Sequence, residues 1–64
     1  MRDIDDQAGF AGYLGIPERT VEDWRYRGVG PAFVRCGKHV RYRKADVDAW
    51  LETRVQNPPA TSRR

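Results

Sequence analysis

The sequence has one cysteine, one histidine, two lysines and no long apolar run. A single cysteine forms no internal disulfide, and one Cys with one His cannot supply the four ligands of a structural zinc site. Neither device is expected to staple the fold, and Cys36 without an export signal fits a reducing, cytoplasmic setting. The first residues, Met1-Arg2-Asp3-Ile4-Asp5-Asp6, are acidic and lack the apolar core of a secretory signal. No stretch approaches the roughly 20 apolar residues of a membrane span, so no membrane partner is expected. Catalytic equipment is equally scarce. His39 stands alone, and Gly28-Val29-Gly30 follows a helical pattern rather than the strand a nucleotide loop requires. The reading is a non-enzyme without cofactor or metal. With 64 residues the chain makes one domain. It must live on a small apolar core, because a domain this short buries only about 60% of the surface its unfolded chain exposes.

What is present is positive charge in one place. Residues 1–18 hold Arg2 against Asp3, Asp5, Asp6 and Glu18. Residues 19–44 hold Arg19, Arg25, Arg27, Arg35, Lys38, Arg41, Arg43 and Lys44 against only Glu22 and Asp23. Residues 45–64 balance. The net charge of +3 therefore arises entirely from the central block. A localised basic stripe is the footprint of a polyanion binder. The cations are arginine ten times in twelve, and arginine makes planar bidentate contacts with phosphate and guanine that lysine does not.

Periodicity gives the framework. Residues 5–15 predict a first helix with Phe10, Tyr13 and Leu14 on one face, Asp5 or Asp6 as its cap and Gly15 as its left-handed stop. Residues 17–27 predict a second, with Pro17 at its first position, Val21 and Trp24 inward, and Gly28 as its stop. Two helices joined by a tight glycine turn, the second one basic, outline a helix-turn-helix, with Ile16 tucked between them. Residues 33–36 and 39–43 predict a hairpin turning at Gly37-Lys38. Val40, Tyr42 and Cys36 point inward, and His39, Arg41 and Arg43 outward. A third helix is expected over 45–55, carrying Val47, Trp50 and Leu51. The expected division is an arm (1–4), a DNA-binding domain (5–55) and an extended or disordered tail (56–64). Core roles are expected for Trp24, Trp50, Tyr42 and Phe33. Tyr26 lies off the apolar stripe, free to pack on a duplex backbone or a neighbouring protomer.

On this frame Arg19, Thr20 and Asp23 reach base edges in a major groove, with Arg25 beside them or on their phosphates. Arg19 suits guanine O6/N7, and Thr20 a phosphate or a thymine methyl. Asp23 accepts from a cytosine amino group or pairs with Arg19 or Arg27. Glu18, Arg27, Arg35 and Lys44 fall along the DNA backbone. Lys38, His39, Arg41 and Arg43 form a wing that enters or clamps the neighbouring minor groove.

The run Tyr13-Leu14-Gly15-Ile16-Pro17-Glu18-Arg19-Thr20-Val21-Glu22-Asp23-Trp24-Arg25, then Gly28, then Val34-Arg35-Cys36-Gly37-Lys38-His39-Val40-Arg41-Tyr42-Arg43, then Asp46-Val47-Asp48-Ala49-Trp50-Leu51, resembles the excisionase family of recombination directionality factors. These carry a MerR-like winged helix-turn-helix. The resemblance spans residues 8–52 and implies a mainly α fold with a small β-hairpin, in the order α-α-β-β-α. It implies the helix Glu18–Arg27 in the major groove and the wing Arg35–Arg43 in the adjacent minor groove. It further implies double-stranded DNA, cooperatively bound further copies of the chain and an integrase as partners, on the nucleoid of a bacterial host, with DNA bending toward excision. A small transcriptional regulator is the alternative, although the chain has no room for a MerR-type dimerisation helix. Two departures stand out: Pro17 and Ala45 replace the usual capping residues, and Asp23 occupies a position that is often basic.

Overall fold

The computed structural model describes residues 1–57. The elements run β1 (Ile4–Asp5), α1 (Gln7–Leu14), α2 (Glu18–Tyr26), β2 (Val34–Cys36), β3 (His39–Arg43) and α3 (Lys44–Thr53). This is the mainly helical winged helix-turn-helix that the sequence predicts, with one added strand. The sheet is antiparallel in the order β1-β3-β2. The expected tail falls, beyond Asn57, outside the described residues.

The two helices of the helix-turn-helix stop by the same device. Gly15 sits at φ +71, Ile16 N–H donates to Ala11 O at 3.0 Å, and Gly15 N–H to Gly12 O at 3.2 Å. Gly28 sits at φ +73, Val29 N–H donates to Trp24 O at 2.9 Å, and Gly28 N–H to Arg25 O at 3.2 Å. Each is a Schellman pair, which satisfies terminal carbonyls and needs a left-handed residue, favouring glycine. Ile16 then packs against the core from the turn.

The core is small: Phe10, Ala11, Val21, Tyr42 and Val47 are buried, one or two from each main element. Phe10 meets Tyr42 at 4.6 Å and Trp24 at 6.4 Å between ring centroids. Four inward assignments need correction. Phe33 is exposed, and Trp24 and Trp50 only pack against the core's edge. Cys36 is exposed as well. Its register partner is His39, beside the turn. That position lies at the hairpin's free end, where nothing covers an edge strand.

Helix starts also differ from expectation. α1 begins at Gln7, because Asp6 is the cap and accepts from Gly9 N–H at 2.9 Å. Pro17 is the residue before α2, not its first turn. α3 begins at Lys44, so Ala45 lies inside the helix and no cap is lost there. Instead the Lys44 N–H donates to the Asp3 carbonyl at 2.8 Å. Backbone from the N-terminal segment thus satisfies one of the N–H groups that the first turn of a helix leaves without an intrahelical partner.

That segment also joins the sheet. Ile4 pairs with Arg43 and Asp5 with Tyr42. Asp5 is buried at 8% exposure. Its carboxylate accepts from Arg2 Nη2 at 3.0 Å, Arg2 N–H at 3.1 Å and Asp6 N–H at 2.9 Å. The hydrogen bonds from Arg2, with that of the Asp6 backbone, hold its pKa at about 2, below the ordinary 3.8. A depressed carboxyl stabilises the fold fully above its unfolded value and loses that contribution as pH falls through the folded one. Acid titration of wild type against Asp5→Asn should therefore show a component, present only in wild type, that disappears between pH 3.8 and about 2. Superimposable acid limbs would refute the role of Asp5.

The same carboxylate explains one glycine. A Cβ on Gly9 would land on the Asp5 carboxylate, whereas one on Gly12 would meet open space. Alanine in a helix gains up to about 1 kcal/mol over glycine, and overpacking costs about 1–3 kcal/mol. Gly12→Ala is expected to raise the thermal midpoint and Gly9→Ala to lower it. Shifts of the same sign would contradict this.

Candidate nucleic-acid interface

Packing of Val21, and partly of Trp24 and Arg25, turns the other side of α2 outward. Arg19, Glu22, Asp23 and Tyr26 form this exposed stripe at helical spacing, with Tyr26 78% exposed. Glu18 and Arg27 flank its two ends, also exposed. Thr20 is half-buried on its margin. The β2–β3 hairpin pairs Val34 with Arg41, Arg35 with Val40 and Cys36 with His39, closing on Gly37-Lys38. Arg35, Lys38 and His39 are all exposed along it.

The twelve proposed contact residues fall into groups by what their side chains already touch. Arg19, Lys38 and His39 have no side-chain hydrogen bond or ion pair within the described residues, and Arg35 only lies over the Phe33 ring at 5.9 Å. Arg41 Nη1 donates to the Val40 carbonyl at 2.8 Å, and the residue is half-buried. Arg27 pairs with Asp23 at 3.0 Å, one of the two pairings open to Asp23 on sequence. Arg43 grips Asp46 with Nε at 2.6 Å and Nη2 at 3.0 Å. Lys44 meets Asp48 at 2.8 Å. The Lys44 amine is thereby held above its usual pKa, and the Asp48 carboxyl, bonded to Lys44 and Tyr13, below its own.

Arg25 is also committed. Its Nη1 donates to Gln7 Oε1 at 2.8 Å and lies 3.4 Å from the Tyr42 hydroxyl. Gln7 Nε2 in turn donates to Glu18 Oε1 at 3.2 Å. This network ties the first turn of α1 to both ends of α2 and to β3. It makes Arg25 and Glu18 part of the frame that orients α2. Sequence reading missed Gln7, which has no local signal because its partners lie 11 and 18 positions away. It also missed Glu22, although a position three after Arg19 shares its helical face.

The free cations thus gather on two elements, the start of α2 and the distal hairpin. This arrangement presents a short helix and a β-ribbon to a polyanion, with phosphate-binding charge that needs no intramolecular pair to break. Among the described residues, no helix is long and apolar enough to cross a membrane. No curated protein matches the chain. The model of the helix-turn-helix domain family matches residues 10–55, which takes in α1 from Phe10 onward, α2, the hairpin and α3. The chain belongs to that helix-turn-helix domain family, and DNA is the partner its domain supports.

Proposed function

We propose that the protein is an excisionase-type architectural DNA-binding protein. In this reading α2 enters a major groove, Arg19 reads a guanine, and Thr20 and Asp23 lie against neighbouring base edges. Arg35, Lys38, His39 and Arg41 hold the adjacent minor groove or its phosphates. Arg27, Arg43 and Lys44 reach phosphate by exchanging their carboxylate partners. Glu18 and Arg25 act at the backbone and groove margin through the frame they share with Gln7.

The observation that carries the reading is the set of unpaired cations at one end of α2 and along the wing. A second support is the likeness to excisionases in the residues around Trp24, the wing and Trp50. A single short reading helix gives little affinity by itself. Several copies on adjacent repeats would supply it, with an integrase as the further partner. Wrapping a bent duplex against helix and wing together would repay the bending energy with added phosphate contacts.

A DNase footprint over the DNA flanking the gene tests this. Several closely spaced repeats protected together at near-physiological salt, with enhanced cutting between them, are the expected result. One compact protected site over a promoter would instead indicate a transcriptional regulator. Absence of protection as salt is lowered would overturn DNA binding itself, since phosphate contacts strengthen as log K rises by about 0.9 per contact per tenfold dilution of salt.

A further inference from the structure

An open groove of about 510 Å³ lies between the α1–α2 turn, the end of α2 and the second half of α3. Trp24 and Trp50 form its floor, with ring centroids 5.3 Å apart, and Leu14, Ile16 and Leu51 its walls. Its charged lining residues are Arg27 and Arg54; among the described residues no carboxylate lines it. Its size is that of pockets which take large apolar groups. Arg27 is already held by Asp23, so Arg54 is the lining cation that selects an apolar group with an acidic flank.

The chain itself offers such a group. Of its exposed large apolar side chains, Tyr26 lies between Arg25 and Arg27, and Phe33 and Val34 adjoin Arg35. Val29 belongs to the groove, and Val55 follows Arg54. Tyr13 is engaged with Asp48 at 2.8 Å. Ile4, 57% exposed, is bracketed by the exposed acids Asp3 and Asp6. The nearby cations Arg2 and Arg43 are held by Asp5 and Asp46. The chain's last residues, 58–64, contain no large apolar side chain and are charged only by Arg63 and Arg64, so they match the groove in neither respect.

We infer that the groove receives the β1 edge of a second copy, with Ile4 over the two indoles and Asp3 facing Arg54. The two surfaces lie at opposite ends of α3. Asp3 caps its first residue, and Trp50, Leu51 and Arg54 lie at its last turn, about 15 Å away. A contact between different surfaces of two identical chains is head-to-tail and repeats from copy to copy. On a duplex it sets neighbours in one polarity and so favours direct over inverted repeats. One inserted side chain makes an interface well below the roughly 1,000 Å² of a stable complex. The contact is therefore weak in free solution and acts when DNA holds two copies side by side. Only this last consequence rests on the DNA-binding reading.

The test uses the full chain without DNA, followed by NMR from millimolar to micromolar concentration. The Trp24 and Trp50 indole N–H resonances and the Ile4 methyls are expected to move with concentration. Arg54→Glu alone and Asp3→Arg alone should each abolish the movement, and their 1:1 mixture or the double variant should restore it. Both residues are exposed, and the restored signal doubles as evidence of folding. On a duplex with two adjacent direct repeats, Arg54→Glu should weaken occupancy of the second site about tenfold and leave an isolated site unchanged. Concentration-independent indole signals would overturn the contact, as would movement that survives both charge reversals. Self-association with intact charge rescue but no DNA binding would overturn the function proposed above and leave the contact standing.

Discussion

Phe10→Ala is expected to leave the domain largely unfolded at 25 °C, at a cost of about 3–5 kcal/mol. Phe10 is 0% exposed, and its ring meets both Tyr42 of the wing strand and Trp24 of the second helix. Its removal opens a cavity that three elements border, and a core this small has no second layer to collapse into it. A single core in a chain this short rarely supplies more than about 3–5 kcal/mol in total, so the loss is comparable to the whole. Trp24→Ala, at a position the sequence assigns to the core, should cost less. Its indole is only half-buried and already borders the open groove. Urea unfolding followed by circular dichroism distinguishes the two. A cooperative Phe10→Ala transition near the wild-type midpoint would refute the placement of the core.

The contrast between these tryptophan and phenylalanine positions shows what a sequence carries. The stops at Gly15 and Gly28 were legible because a left-handed C-cap is a local requirement met by one residue type. The hairpin was legible because Val40 and Tyr42 alternate with cations and the turn is Gly37-Lys38. The strand Ile4–Asp5 was not, since two residues have no period and its partner lies nearly forty positions away. Depth of burial was equally hidden. Phe33 and Cys36 have the polarity of core residues, but β2, the first strand of the hairpin, has no neighbour on its outer side. The basic candidate site was visible as composition, while its division into free and committed cations was not. Arg25 is drawn in by Gln7, 18 positions away, and Arg43 grips Asp46 across the boundary between strand and helix. A third helix expected from Ala45 leaves Lys44 outside it and conceals its helical i,i+4 spacing to Asp48.

That division sets the second large effect. Arg19→Ala is expected to cost about 1–3 kcal/mol on the cognate duplex and to relax preference at a single base pair, with little change on random DNA. Arg19 is exposed on the outward stripe of the second helix and, among the described residues, has no side-chain bond to give up. Lys38→Ala should weaken binding to cognate and random duplexes alike and reduce the salt slope by about one phosphate contact. Composition alone assigns the same behaviour to Arg43→Ala. The bidentate Arg43–Asp46 pair changes that expectation. Wild-type Arg43 must loosen its hold on Asp46 to reach a phosphate, so the charge it offers DNA is already partly spent. Its removal should shift the slope by less than Lys38→Ala does. Asp46→Asn, which frees the guanidinium, should tighten binding to every sequence. Fluorescence anisotropy on matched cognate and random duplexes across a salt series reads all four variants. If Arg19→Ala and Lys38→Ala lower both affinities in parallel, the separation into a base reader on the helix and phosphate clamps on the wing is wrong. If Asp46→Asn leaves affinity unchanged while Arg43→Ala matches Lys38→Ala, the ion pair at the start of the third helix does not govern how the wing strand meets DNA.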